Sequence, residues 1–127
     1  MLSVFDDGYF MKEAYKQALY AKEEGEIPVG AVVVCDNRII SRSYNQTERL
    51  NDVTAHAEML AMTSAFNTLG AKYLVNCSLY VTLEPCLMCA GASFWAQISK
   101  LIYGASDPGR GFARLQGNVL HPKTKVV

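Results

Sequence analysis

Apolar residues recur every three or four positions near the start of the chain, a spacing that predicts an amphipathic helix from Gly8 to Glu24. Asp7 is suited to cap this helix, and Gly25 is suited to end it. The expected buried stripe consists of Phe10, Ala14, Ala18 and Ala21.

An uninterrupted apolar run at residues 29–35 then predicts a buried strand, and residues 38–44 read as its returning partner. The pair Asp36-Asn37 between them is typical of a tight hairpin turn. Gly30 at the entry to the first strand indicates a close approach to another part of the backbone.

The remaining pattern alternates helices with single strands. Thr54 is a suitable N-cap for a second helix, and Gly70 closes it. The later elements are a helix at residues 55–69, strands at 79–83 and 100–103, a helix beginning at Pro85, and an edge strand at 123–127. This order predicts an α/β sandwich with helices on both faces of one sheet.

Composition narrows the class of protein. The 127 residues are 50% hydrophobic and 19% charged, and no apolar run reaches 18 residues. We therefore expect one domain comprising residues 1–127, with no membrane association. The first residues lack the pattern of a secretory signal, so Cys35 and Cys77 are expected to be small, reduced, buried residues of a cytoplasmic protein.

The chain is neutral overall, but its charge is uneven. Residues 1–99 carry a net charge of −4 and residues 100–127 a net charge of +4. A basic segment of this kind either contacts a phosphate backbone or is simply solvated.

The candidate chemistry lies in two short motifs. Cys86 and Cys89 follow Pro85 at the start of a helix, where the positive end of the helix favours thiolates. His56 precedes Glu58 by two residues at the start of another helix. His-x-Glu followed by Pro-Cys-x-x-Cys is typical of zinc-dependent nucleobase deaminases.

Three protein ligands, His56, Cys86 and Cys89, leave the fourth position of a zinc ion for water, as in a catalytic site. Glu58 is then free to move protons between this water and a base. One alternative is a structural zinc site with a fourth ligand, for which Cys35, Cys77 and His121 are the candidates. Another is a redox Cys-x-x-Cys pair.

The chain resembles the tRNA-specific adenosine deaminases of the cytidine deaminase-like superfamily. The resemblance covers nearly the whole sequence and rests on GEIPVGAVVV, Asn45, TAHAE, LYVTLEPCLMCAGA and IYGASDP. It implies a three-layer α/β/α sandwich with a mixed five-stranded sheet, one zinc ion per subunit, a homodimer and the tRNA anticodon loop as partner. It also implies conversion of adenosine to inosine at the wobble position.

The same resemblance implies a base pocket lined by Ile27, Val29, Asn45 and Ala57, with Asp107 near a flipped nucleotide. The family usually continues into a C-terminal helix, which is expected to be missing here because the chain stops at Val127. The segment GFARLQGNVLHPK also differs from the usual family pattern. A free-base or nucleoside deaminase acting on guanine or cytosine is the alternative function, and a non-catalytic zinc module is the third.

Overall fold

The computed structural model describes residues 5–115 and 119–127. The segment that departs from the family pattern thus lies partly outside the described residues, at 116–118. The described elements are α1 (Asp7–Glu23), β1 (Gly30–Cys35), β2 (Arg38–Tyr44), α2 (Ala57–Leu69), β3 (Cys77–Leu83), α3 (Leu87–Ala96), β4 (Lys100–Ala105), a 3-10 turn (Phe112–Arg114) and β5 (Lys125–Val126).

The five strands form one mixed sheet in the order β2-β1-β3-β4-β5. β1 runs antiparallel to both β2 and β3, whereas β3, β4 and β5 are parallel to one another. The mixed five-stranded sheet expected from the sequence is therefore confirmed. β5 is shorter than the predicted edge strand at residues 123–127.

Helices cover both faces of this sheet, which confirms the three-layer arrangement. Alternate residues of the central strands point to opposite faces. Val32 and Tyr80 pack with Phe10 of α1 on one face. Val33 and Leu79 belong to the larger core on the other face, together with residues of α2 and α3.

α1 is fixed closely to the sheet. Its N-cap is Asp6 rather than the expected Asp7, because the Asp6 side chain accepts a hydrogen bond from the Tyr9 N–H at 2.9 Å. The expected buried stripe is confirmed. A Cβ atom on Gly30 would lie 2.1 Å from the carbonyl oxygen of Ala14, so this glycine permits the close approach.

The hairpin turn is confirmed, since Asp36 and Asn37 have φ angles of 52° and 61°, as a two-residue hairpin turn requires. The expectation of two reduced cysteines beside it is wrong in this structure. Cys35 and Cys77 face each other across β1 and β3 and form a disulfide, with Cα atoms 4.5 Å apart. Sequence reasoning missed the pair because register decides which residues meet across a sheet.

None of the helices in the described part of the chain is long and apolar enough to cross a membrane.

Candidate metal centre and active site

The two metal-ligand motifs lie at the N-termini of neighbouring helices. α2 begins at Ala57 with His56 as its N-cap, two residues later than the sequence predicts. Thr54 lies before the cap position, and its N–H and hydroxyl donate to the Asp52 carboxylate, at 2.8 and 2.7 Å. The His56 side chain makes no capping hydrogen bond.

α3 also begins later than expected. Its N-cap is Cys86, so Pro85 precedes the helix rather than occupying its first position. Cys89 lies in the first turn and is fully buried, whereas Cys86 is partly exposed. The strand-to-helix turn after β3 thus presents both sulfurs to the ring of His56.

The three side chains have the separations that a tetrahedral zinc ion requires. His56 Nδ1 lies 3.7 Å from Cys86 Sγ and 3.5 Å from Cys89 Sγ. Zinc–nitrogen and zinc–sulfur bonds of ordinary length, at a tetrahedral angle, place nitrogen and sulfur about 3.6 Å apart. All three ligand atoms lie within 4.8 Å of one another. The residues therefore fit zinc.

The two neighbouring thiols shift each other's pKa in opposite directions. A hydrogen bond from Cys89 lowers the pKa of Cys86 to about 5. The same bond, followed by burial, raises the pKa of Cys89. One thiolate is thus already favoured at neutral pH, which is the form that binds zinc.

Glu58 is the buried acid of this cluster. It lies in the first turn of α2 and is 4% exposed, and its Oε1 has no hydrogen-bond partner. Burial raises the pKa of Glu58, and a raised pKa suits a carboxyl group that must both accept and return a proton. A buried carboxylate with an unused oxygen is costly, so it indicates a function.

A fourth protein ligand is not found among the described residues, where His56, Cys86 and Cys89 form the one candidate metal cluster. Cys35 and Cys77 bond to each other. His121 accepts a hydrogen bond from the Lys123 N–H at 3.1 Å and contacts the ring of Phe94. The structure thus favours a three-ligand centre over a closed structural one.

A pocket opens directly onto this cluster. The residues expected to hold the base all line it, namely Ile27, Val29, Asn45, Ala57 and Asp107. Glu58 and the ligands His56 and Cys86 form its floor. The structure therefore brings together residues that are far apart in sequence, as expected from the resemblance.

Asn45 is held at the wall of this pocket. Its amide nitrogen donates to the Ile27 carbonyl at 3.3 Å, and its amide oxygen accepts from the Thr47 N–H at 3.4 Å. Its backbone N–H donates to the Val29 carbonyl at 3.0 Å. The Asn45 side chain thus connects Ile27 with Thr47, which both line the pocket.

Sequence reasoning missed four residues that also line the pocket, namely Thr47, Leu83, Glu84 and Arg110. Arg110 belongs to the basic segment at residues 100–127, which does not by itself indicate a pocket. A pocket-lining position for these residues depends on loop paths that short motifs do not reveal.

Comparison with known proteins agrees with this geometry. A family model described as the cytidine and deoxycytidylate deaminase zinc-binding region matches residues 5–105. A tRNA-specific adenosine deaminase of Aquifex aeolicus is 47% identical over 116 residues, which cover 91% of this chain and 77% of the relative.

Two solved structures are also similar. One comes from a study of A-to-I editing by tRNA:A34 deaminases at the wobble position, with a TM-score of 0.89 and 44% identity, covering 94% of this chain and 91% of that one. The other is a guanine deaminase of Bacillus subtilis, with a TM-score of 0.78 and 40% identity, covering 80% and 66% respectively.

Proposed function

Because the chain belongs to the tRNA-specific adenosine deaminases of the cytidine and deoxycytidylate deaminase family, we propose that it converts adenosine to inosine at the wobble position of tRNA. The observation that carries this proposal is the buried, unpartnered carboxylate oxygen of Glu58 beside a three-ligand metal centre. The reaction consumes water and adenosine and releases inosine and ammonia.

We assign the metal to His56, Cys86 and Cys89. Zinc, when bound, supplies the activation of water at neutral pH. Glu58 accepts a proton from the attacking water and delivers it to a ring nitrogen of the base, then takes the remaining hydroxyl proton and passes it to the amino group, which leaves as ammonia. Its burial supports this role, because an acid whose pKa is raised both accepts and returns a proton readily.

The base-binding assignment rests on the pocket. We propose that Ile27, Val29, Asn45 and Ala57 hold the base, with Asn45 donating or accepting through its amide. We also propose that Asp107, which lines the same pocket, lies near the flipped nucleotide. The flipped base enters from single-stranded RNA, so the anticodon loop is the expected partner.

A free-base deaminase is the second candidate, favoured by the likeness to the guanine deaminase structure. The two are separated by incubating purified, zinc-loaded protein with an anticodon stem-loop carrying A at the wobble position, and separately with guanine and cytosine. We expect inosine from the stem-loop. Turnover of a free base alone would refute the tRNA assignment.

A homodimer is the proposed assembly. α3 presents an exposed face formed by Leu87 and Trp95, which are 56% and 76% exposed. Gly91 lies between them, and nothing comes within 4 Å of a Cβ built on it, so a neighbouring helix has room to approach. Light scattering should give twice the chain mass, and Trp95→Glu should lower it to the monomer mass.

Residues 1–127 are proposed to act as one domain, because every described strand belongs to one sheet.

A cytoplasmic location is proposed because tRNA, the proposed substrate, is present in the cytoplasm. Alkylation of intact cells before lysis tests this location, because both thiols would be trapped in a reducing compartment, whereas persistence of the Cys35–Cys77 disulfide would contradict it.

A further inference from the structure

Glu84 is a second buried acid in the pocket wall, but its surroundings differ from those of Glu58. It follows β3 directly, in the middle of the TLEPC stretch, and is 5% exposed. Both of its carboxylate oxygens accept backbone hydrogen bonds. Oε1 accepts from the Asp107 N–H at 3.1 Å, and Oε2 accepts from the Ala113 N–H at 2.8 Å.

These two contacts lie at opposite ends of one loop, residues 106–113, which follows β4. The loop is held at its edges by the backbone, because the Glu84 N–H donates to Ala105 and the Phe112 N–H donates to Pro85, at 2.8 and 2.9 Å. The Glu84 carboxylate occupies its interior. It thus pairs with N–H groups at both ends of the loop, in a part-buried setting.

Gly111 leaves room for the Glu84 carboxylate inside the loop of residues 106–113. A Cβ atom on Gly111 would lie 2.1 Å from Glu84 Oε2 and 2.7 Å from the carbonyl oxygen of Asp107. The Gly111 N–H also donates to that carbonyl at 2.7 Å. The loop can therefore close around Glu84 only with glycine at this position.

The loop carries two pocket-lining residues, Asp107 and Arg110, and the Arg110 N–H donates to Asp107 Oδ1 at 3.2 Å. We propose that Glu84 is a positioning residue that sets the loop of residues 106–113 along one side of the pocket and thereby fixes Asp107 and Arg110 for the nucleotide. The identity of the nucleotide rests on the proposed function, whereas the role of Glu84 in holding the loop does not.

The test replaces Glu84 with glutamine. An amide has only one acceptor oxygen, so Glu84→Gln leaves one loop N–H facing an NH₂ group. We expect one zinc per chain as in the wild type, faster amide hydrogen exchange in residues 106–113, and a KM for the stem-loop raised about tenfold with little change in kcat, as loss of one buried hydrogen bond implies.

Glu26→Gln is the matched control. Glu26 is equally buried and accepts the N–H groups of Glu48 and Arg49, at 3.0 and 2.8 Å, in the loop that follows β2. This variant should speed exchange at residues 48–49 and leave residues 106–113 unchanged. Gly111→Ala, which crowds the Glu84 carboxylate without removing it, should reproduce the Glu84→Gln pattern and serves if that variant does not fold.

Wild-type exchange in residues 106–113 of both Glu84→Gln and Gly111→Ala would overturn the proposal. Loss of zinc from the folded Glu84→Gln protein, or a fall in kcat at unchanged KM, would also overturn it. Hydrogen exchange needs no substrate. A wild-type protein that is inactive on tRNA would therefore refute the proposed function and leave the exchange result to decide the role of Glu84.

Discussion

The hydroxyl of Tyr80 donates a hydrogen bond to the carboxylate of Asp7, with the two oxygens 2.6 Å apart. Lys100 donates to the same carboxylate at 2.9 and 3.1 Å. The first turn of α1 is thereby tied to β3 and β4. Hydrogen bonds from Tyr80 and then Lys100 lower the pKa of Asp7.

Asp7→Asn should therefore destabilise the protein in a pH-dependent way. Because the folded-state pKa lies below the unfolded value of about 3.9, the contribution is present above that value and is lost as pH falls through the folded-state pKa. The Asp7 side chain is 42% exposed, so we expect solvent screening to limit the loss to about 1 kcal/mol at pH 7.

Urea unfolding of both proteins between pH 7 and pH 3 checks this expectation. The two free energies of unfolding should converge as the solution becomes acidic. Tyr80→Phe and the double variant, together with Asp7→Asn, complete a double-mutant cycle. The coupling energy between Asp7 and Tyr80 should fall toward zero over the same range of pH. A constant gap across the range would exclude ionisation of Asp7 as its cause.

Gly30→Ala tests the contact between α1 and β1. The new methyl group would lie 2.1 Å from the Ala14 carbonyl oxygen and 2.4 Å from the Ala18 nitrogen, both backbone atoms. Helix and strand must therefore separate, and we expect a loss of about 1–3 kcal/mol in the free energy of unfolding.

Gly8→Ala is the control within the same helix. Its Cβ atom would meet the Asp6 carboxylate at 3.4 Å, an ordinary contact, and alanine favours the helix. Denaturant unfolding should show this variant to be at least as stable as the wild type. Equal stabilities for both alanine variants would show that α1 does not depend on the close approach.

The sequence was sufficient to predict the elements and the residues of the candidate metal cluster, because both depend on short-range patterns. His56 with Glu58, and Cys86 with Cys89, lie within single turns, and β1 is apolar throughout. The predicted starts of α2 and α3 were two residues early, because His56 and Cys86 occupy the N-cap positions without making side-chain capping hydrogen bonds, and neither residue type signals a cap in the sequence.

Residues that meet through tertiary contacts could not be predicted in this way. The Cys35–Cys77 pair depends on strand register. Glu84 reaches its loop across 23 and 29 residues of sequence, and no local spacing indicates such a contact.

Glu58→Gln separates proton transfer from metal binding. The amide keeps the shape of the side chain but cannot accept a proton, so the deamination rate should fall by about 10²–10⁴-fold or more. Zinc content, measured by elemental analysis, should remain at one per chain, because Glu58 is not a ligand. Glu23→Gln, at the exposed end of α1, is the control for loss of a carboxylate.

A Glu58→Gln protein that releases ammonia at the wild-type rate would remove this residue from the mechanism. Loss of zinc together with activity would instead assign it to the metal centre.

The basic segment at residues 100–127 is not a single patch in the structure. Arg110 lines the pocket, whereas Lys100 and Lys125 pair in register at the starts of β4 and β5. That end of the parallel strands is opposite to the one bearing the pocket, and Lys100 is bound to Asp7. We therefore expect the segment to contact RNA mainly through Arg110.

Salt dependence tests this division in the Glu58→Gln background, where the stem-loop is not consumed. Each phosphate contact to single-stranded RNA contributes about 0.7 to the slope of log K against log salt concentration. Arg110→Ala should reduce the slope by about that amount, while Lys125→Ala should leave it unchanged. Equal reductions by the two variants would mean that the anticodon stem-loop spans both ends of the sheet, and an unchanged slope for Arg110→Ala would place the phosphate contacts elsewhere.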